Sequence, residues 1–135
     1  MYTSKQATAF PLQKSYDPLR VLQAPRKIQW KKLAIKLGDE IRFIPFEDII
    51  YCKSVNNYTT VFIQGDKSFL CCKTLKDIES KLPADLFIRI HHSYLVNLHF
   101  ITSLKKQDCE LEINNKLLLP VSRSKKTEMY KLFNV

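Results

Sequence analysis

The chain has 135 residues, of which 45% are hydrophobic, and this is enough to bury the core of one domain. Its two glycines exclude the glycine-rich phosphate-binding loops of nucleotide-binding α/β folds. No apolar run reaches the length of about 18 residues that a membrane helix needs, and no stretch resembles a secretion signal. We therefore expect one cytoplasmic domain that does not contact a membrane.

The net charge of +9 favours a polyanionic partner such as nucleic acid, but the charge is unevenly distributed. Residues 1–32 carry seven basic side chains against Asp17 alone, a net charge of +6. The remaining 103 residues carry fifteen basic and twelve acidic side chains, a net charge of +3. A nucleic-acid-binding surface on the folded part must therefore be a local basic cluster.

The beginning of the chain is predicted to be a flexible arm. Three prolines interrupt residues 1–27, which show neither a helical nor an alternating period of apolar side chains. We therefore expect a basic N-terminal arm over residues 1–28 and a folded domain over residues 29–135.

The folded part is predicted to open with a β-hairpin. Residues 32–37 alternate between apolar and polar side chains, the chain turns at Gly38, and residues 41–45 return with the same period. This combination of alternation and turn is typical of two paired strands.

Three further strands are predicted after the hairpin. Residues 46–55 begin with a short turn and continue as a buried strand, and residues 58–64 form a second strand rich in β-branched and aromatic side chains. Gly65 then makes a tight turn into a third strand over residues 68–72.

The next segment changes to a helical period. Apolar residues recur at i, i+3 and i+7 from Leu75, Thr74 can cap the first turn, and Pro83 ends the pattern. These features predict a short amphipathic helix over residues 74–82.

Strands return in the second half of the chain. Residues 109–113 alternate, turn at Asn114-Asn115 and return over residues 116–121, which predicts a second hairpin. Three short strand-like runs precede it, at residues 87–91, 94–98 and 100–104.

A basic helix is predicted to end the chain. Ser122 can cap a helix over residues 123–133, in which Met129, Leu132 and Phe133 share one face. The whole pattern predicts a mainly β domain with two short helices.

Neither a metal site nor an enzyme is indicated by the sequence. The four cysteines and three histidines lack the paired spacing of zinc ligands, and three of the cysteines lie in runs where a free thiol behaves as a small apolar side chain. No group of residues has the arrangement of a catalytic site. We expect reduced thiols, no cofactor, no metal, no catalytic activity and no small-molecule substrate.

Five motifs between about Leu33 and Phe133 resemble, in order, the LytTR DNA-binding domain of bacterial transcription regulators. They are Asp48-Ile-Ile-Tyr, Asn57-Tyr-Thr, Lys73-Thr-Leu-Lys-Asp-Ile-Glu, Phe87-Ile-Arg-Ile-His-His-Ser-Tyr-Leu-Val-Asn and Leu119-Pro-Val-Ser-Arg. The resemblance implies an elongated antiparallel β fold of LytTR type with two short helices. It also implies that loops, rather than a recognition helix, enter successive major grooves of double-stranded DNA.

Three DNA-contact regions follow from the resemblance, one in each of three separate segments. Arg presents a fork that matches guanine, Asn can pair with adenine, and Lys beside a helix N-terminus suits phosphate. The implied contact residues are Asn57, Tyr58 and Thr59 for the first groove, His92 and Ser93 for backbone or base edges, Arg123 for the second groove, and Lys125 and Lys126 for phosphates.

Several of these residues also have a simpler interpretation. Asn57 is a residue type that is common in turns, and the ring of Tyr58 can cover the sheet. Adjacent lysines often form a solvated helix face. His91 is predicted to be an internally hydrogen-bonded structural residue. Many members of the family carry Arg, Asn or Lys at the position of His92, and many carry a receiver or sensor domain, for which residues 1–27 are too short and too irregular.

The sequence therefore predicts a sequence-specific double-stranded DNA-binding protein that regulates transcription. One alternative is a β module that binds RNA or single strands, with bases stacked on exposed rings, although alternation predicts that most of these rings point inward. Another is a protein-interaction module, and self-association on DNA fits either DNA binding or protein interaction. The rings available for base stacking in the first alternative are Phe43, Tyr51, Tyr58 and Phe62.

Overall fold

Antiparallel strands make up about half of the computed structural model, which describes residues 31–135. The strands are β1 (Lys32–Leu37), β2 (Glu40–Pro45), β3 (Ile49–Val55), β4 (Tyr58–Ile63), β5 (Lys67–Cys71), β6 (Phe87–His91), β7 (Tyr94–Asn97), β8 (Ile101–Lys105), β9 (Glu110–Ile113) and β10 (Leu117–Pro120). The α-helices are α1 (Leu75–Lys81) and α2 (Arg123–Phe133), and 3-10 turns at Phe46–Asp48 and Leu98–Phe100 precede β3 and β8. The predicted arm over residues 1–28 lies outside the described residues.

The strands of this part of the chain form three antiparallel sheets. Five of them pair in the order β5-β4-β3-β7-β6, β1 pairs with β2, and β9 pairs with both β8 and β10. The mainly β fold with two short helices that the sequence predicts is confirmed. Local alternation and turn residues predict the strand bounds well because each hairpin is closed by neighbouring residues.

Left-handed backbone conformations mark the tight turns. Asn114 and Asn115 have φ angles of 55° and 62°, a turn geometry whose twist matches that of β9 and β10. Asn56 between β3 and β4 has φ 56°, and Gly38 between β1 and β2 has φ 59°. Asn and Gly adopt this region at low cost, so the turns follow from local sequence.

The five-stranded sheet is covered on both faces. Leu95 and Val96 are neighbours on β7 and point to opposite faces, yet both are fully buried. Leu95 packs in a cluster with side chains of β1, β2 and α1. Val96 packs in a second cluster with side chains of β9, β10 and α2. The β7 strand therefore lies in the middle of three layers.

Helix α1 begins as the sequence predicts. The Thr74 hydroxyl accepts a hydrogen bond of 3.2 Å from the Asp77 N–H, and Thr74 has the extended backbone of a helix cap. Leu75 and Ile78 are buried against the sheet. The cap and the apolar face together account for a helix of only two turns.

Helix α2 departs from its prediction in two details. Ser122 occupies the cap position, but its hydroxyl makes no cap hydrogen bond and lies 3.3 Å from the Ser124 hydroxyl. Met129 is buried with Phe133 packed beside its cluster, whereas Leu132 is 52% exposed. Of the three residues predicted to share one face, Met129 and Phe133 therefore contact the core, whereas Leu132 lies at the edge of that face and is exposed.

In the β1–β2 hairpin, the buried position of β2 falls on Ile44. A period of two then places Ile41 and Phe43 on the other face, where they are 59% and 47% exposed. Phe43 is therefore not among the rings that point inward. On the Ile44 side, the Arg42 guanidinium lies 5.2 Å from the centre of the Phe69 ring.

The cysteines of the folded part are free thiols. Burial raises the pKa of Cys52 to about 12, so this thiol stays protonated and packs as a small apolar side chain. Within residues 31–135, no group of three or more His, Cys, Asp or Glu side chains could hold a metal ion. No helix in the same range is long and apolar enough to cross a membrane.

A buried amide joins β7 to the turn before β3. Asn97 has no exposed surface, and its Nδ2 donates hydrogen bonds to the carbonyl oxygens of Ile49 at 2.8 Å and of Phe46 at 3.4 Å. Its Oδ1 accepts a hydrogen bond of 2.9 Å from the His99 N–H. One side chain thus satisfies three backbone groups from segments that are far apart in the chain.

We expect Asn97→Ala to lower the free energy of unfolding by about 2–3 kcal/mol, because it leaves buried backbone groups without partners. Urea unfolding checks this value. The matched control is Asn57→Ala, which truncates an exposed amide and should cost less than about 0.5 kcal/mol. Equal losses in the two variants would contradict the structural role of Asn97.

Candidate nucleic-acid interface

Two turns lie side by side at one end of the five-stranded sheet. Strand β3 is flanked by β4 and β7 and is antiparallel to both, so the turn after β3 and the turn before β7 share one end. The N–H of Ser54, near the end of β3, donates a hydrogen bond of 2.8 Å to the Ser93 carbonyl oxygen. This bond joins the two turns directly.

The start of helix α2 joins the same end. The Ser122 N–H donates a hydrogen bond of 2.9 Å to the Ile90 carbonyl oxygen on β6. As a result Ser122, Ser124 and Lys125 line one cleft with the two histidine rings of the β6–β7 turn. The candidate surface, as the name is used below, comprises residues 56–58, 92–93 and 122–126.

Seven of the eight residues predicted to contact DNA lie on the candidate surface. Their side chains are exposed or half-buried: Asn57, Tyr58, His92, Ser93, Arg123, Lys125 and Lys126. The eighth, Thr59, is fully buried, and its hydroxyl donates a hydrogen bond of 2.7 Å to the Lys73 carbonyl oxygen. In this position Thr59 ties β4 to the segment before α1 and offers no side-chain surface to a partner.

The first turn of α2 concentrates positive charge. It contains Arg123, Lys125 and Lys126 and no acidic residue, although the N-terminus of a helix already carries a partial positive charge. Lys125 Nζ lies 3.7 Å from the Glu128 carboxylate, and Lys126 Nζ donates a hydrogen bond of 3.1 Å to the Lys106 carbonyl oxygen. Such an arrangement attracts anions, and phosphate is the anion that backbone N–H groups and lysines bind together.

His91 is an internal part of the β6–β7 turn. Its Nδ1 accepts a hydrogen bond of 3.1 Å from the Ser93 N–H, which confirms the prediction that it is hydrogen-bonded internally. Its ring lies 4.2 Å from that of His92. Burial, followed by the charges of His92 and Arg89, lowers the pKa of His91. The neutral ring therefore keeps its acceptor for the Ser93 N–H.

The aromatic rings considered for base stacking are divided between two environments. Tyr58 is 44% exposed on the candidate surface, so two of the four rings, Phe43 and Tyr58, are exposed and the prediction that most of them point inward is wrong. The inward positions of β4 are taken by Thr59 and Val61. Tyr51 and Phe62 are half-buried and stack on each other, with ring centres 4.3 Å apart.

Sequence reasoning missed Arg89, which lies behind the β6–β7 turn. Its Nη1 donates a hydrogen bond of 2.8 Å to the Glu79 carboxylate on α1, and two further hydrogen bonds go to carbonyl oxygens at the turn. The signal available in the sequence is one basic residue between Ile88 and Ile90 in an otherwise apolar strand. A charged group in such a position needs a partner inside the protein.

Comparisons with known proteins show which family the chain resembles. The family model described as the LytTr DNA-binding domain matches residues 39–134. The sensory transduction protein LytT of Bacillus subtilis is 33% identical over 107 residues, which cover 77% of this chain and 44% of that protein. The sensory transduction protein LytR of Staphylococcus epidermidis is 33% identical over 101 residues, which cover 73% of this chain and 40% of that protein.

A solved structure has the same fold. It is described as the LytTr DNA-binding domain of a methyl-accepting/DNA response regulator from Bacillus cereus, and it is 26% identical with a TM-score of 0.67. The similarity covers 78% of this chain and 98% of that one.

The chain spans less than half the length of the curated relatives described above. The family match, by contrast, extends over nearly all of the described residues and includes all three segments of the candidate surface. On this evidence the chain belongs to the LytTR DNA-binding domain family.

Proposed function

We propose that this chain binds double-stranded DNA sequence-specifically as part of a transcription regulator, and that the candidate surface enters successive major grooves. The observation that carries the proposal is the joining of three distant segments by two backbone hydrogen bonds, from Ser54 to Ser93 and from Ser122 to Ile90. The family and the names of the relatives support the same function.

Each segment of the surface has its own role in this proposal. Asn57 and Arg123 are the base readers, because an amide pairs with adenine and a guanidinium fork pairs with guanine. His92 and Ser93 contact the DNA backbone or base edges between the bases that Asn57 and Arg123 read. Lys125 and Lys126, with the start of α2, hold phosphates and set the register. The predicted basic arm over residues 1–28 would add sequence-independent affinity through its charge.

Single-stranded nucleic acid is the alternative, and one observation favours it. The exposed Tyr58 ring on the candidate surface could stack on an unpaired base. Tyr51 and Phe62 stack on each other, however, which leaves Tyr58 as the one Tyr or Phe side chain on that surface. Binding of duplex DNA is therefore the function that the geometry supports best.

We expect the purified protein to prefer duplex over single-stranded DNA of the same sequence and to select a defined site from random duplexes. Affinity should fall steeply with salt, with a slope of about 0.9 on the double-logarithmic plot for each phosphate neutralised. Competition titration and sequencing of the selected fragments measure both properties. Tighter binding to single strands would favour the alternative.

Arg123→Ala should weaken binding to the selected site by about 1–3 kcal/mol and relax base choice at one position, whereas Lys126→Ala should weaken all sequences alike. The measured quantity is the ratio of specific to non-specific affinity. Arg42→Ala is the control, because Arg42 is an exposed arginine outside the candidate surface. An unchanged ratio in a folded Arg123→Ala protein would reduce Arg123 to a phosphate contact.

We expect affinity for the selected site to increase as pH falls from about 8 to about 6, because an acceptor on DNA favours the protonated imidazole of His92. Binding then takes up a proton. Dissociation constants at constant ionic strength measure the effect, and it should disappear in His92→Asn, which cannot titrate.

His91 is the necessary control for this measurement. Its lowered pKa keeps it neutral over most of the range, and in His91→Asn the amide oxygen can replace Nδ1 as the acceptor for the Ser93 N–H. The pH dependence should therefore persist in His91→Asn. If it persisted undiminished in His92→Asn instead, His92 would not be a charged contact.

A further inference from the structure

We propose that Arg89 is a positioning residue that sets the direction of the His92 side chain, an inference that rests on the proposed DNA-binding function. Arg89 Nε donates a hydrogen bond of 3.0 Å to the His91 carbonyl oxygen. Its Nη2 donates a hydrogen bond of 2.6 Å to the His92 carbonyl oxygen. One planar group thus holds two consecutive carbonyl groups of the β6–β7 turn.

These two carbonyl groups determine the backbone at His92. The carbonyl of His91 belongs to the peptide plane before His92, and the carbonyl of His92 belongs to the plane after it. Peptide units are planar, so holding both planes fixes the two backbone torsions between them and with these the direction of the Cα–Cβ bond. Arg89 therefore controls where the imidazole of His92 can point.

The backbone groups of Ser93 also make hydrogen bonds within the protein. The Ser93 N–H is bonded to His91 Nδ1, and the Ser93 carbonyl accepts from the Ser54 N–H. The turn thus presents the His92 side chain from a backbone whose hydrogen bonds are made within the protein. Such a preorganised turn loses little conformational freedom when a partner binds.

Glu79 aims the guanidinium at the turn. Its carboxylate lies 2.8 Å from Arg89 Nη1, and α1 is anchored in the core by Leu75 and Ile78. The two paired side chains are 22% and 43% exposed, so solvent screens the ion pair and its contribution to stability is small. Its effect is to orient Arg89 between the helix and the turn.

Arg89 also acts on the turn through its charge. The Ser93 N–H can donate to His91 Nδ1 only while that nitrogen is unprotonated. Besides burial and His92, the charge of Arg89 lowers the pKa of His91 and so preserves this acceptor. Glu79 and Lys125 are the other charged groups lining the same cleft.

Direct contact between Arg89 and DNA phosphate is the competing explanation, and the donor geometry opposes it. Three of its five N–H groups, on Nε, Nη1 and Nη2, already donate to protein oxygens, and the side chain is only 22% exposed. A lysine would keep the charge that a phosphate requires but cannot reproduce a fork that holds two carbonyl groups at once. Arg89→Lys therefore separates the two roles.

The experiment compares wild type, Arg89→Lys and Glu79→Gln, with Arg42→Lys as a matched control. Arg42 also donates two hydrogen bonds to a glutamate, Glu40, but lies on β2 outside the candidate surface. Amide hydrogen exchange of Ser54 and Ser93 is measured in the free proteins, and thermal unfolding confirms that each is folded. Affinities for the selected duplex and for a random duplex are then measured for each variant, both by itself and in combination with His92→Ala.

We expect Arg89→Lys to accelerate exchange at Ser93 and to weaken binding to the selected duplex by about tenfold, with little change in random-duplex affinity or salt slope. Glu79→Gln should show a smaller effect in the same direction, and Arg42→Lys none. In the His92→Ala background, Arg89→Lys should change affinity by less than about twofold, because interacting residues are not additive.

Three results would overturn the inference. The first is an unchanged amide exchange rate at Ser93 in Arg89→Lys. The second is an equal loss of affinity for the selected and the random duplex in that variant. The third is a double variant in which the affinity losses of Arg89→Lys and His92→Ala multiply. A wild-type protein that selects no duplex would instead contradict the proposed function, and the exchange measurement in the free proteins would still decide whether Arg89 holds the turn.

Discussion

Burial of the β6–β7 hairpin on both faces is the constraint on which the rest of the structure depends. Phe87 and Leu95 point into the cluster beneath α1, whereas Ile88 and Val96 point into the cluster beneath α2. The hairpin cannot shift along either face without opening both clusters, and closely packed interiors resist such shifts. The turn at its end is therefore carried by an element that is packed on both faces.

The candidate surface takes its geometry from this hairpin. The β3–β4 turn and the start of α2 are each bonded to its backbone, at Ser93 and Ile90 respectively. A rigid scaffold that presents polar turns is a common arrangement for recognition, because loops can vary while their support does not. In the proposed function, positive charge in the first turn of α2 would add affinity for phosphate without requiring that the whole protein be basic.

Local features of the fold were predictable from the sequence, and features that depend on distant contacts were not. The Thr74 cap and the Asn114-Asn115 turn involve neighbouring residues and were predicted correctly. Thr59 was predicted as a DNA contact from a motif, but its burial depends on the Lys73 carbonyl on another segment. The outward position of Phe43 depends on which face of β2 meets the core, which alternation alone cannot decide.

The same distinction between local features and distant contacts applies to the candidate site. Its three segments were chosen from motifs that follow one another along the chain, and their contact with DNA stays a prediction, whereas the predicted internal hydrogen bond of His91 is confirmed. Arg89 was missed because its role depends on two carbonyl groups that converge only after the turn has formed. A pattern of residue types records side chains but not the direction of backbone groups.

Hydrogen–deuterium exchange of the protein, free and bound to its selected duplex, tests the central claim most directly. The account predicts that DNA protects backbone amides in all three segments of the candidate surface, residues 56–58, 92–93 and 122–126, and leaves the β1–β2 hairpin unchanged. Protection confined to the β1–β2 hairpin, or to one of the three segments, would contradict it.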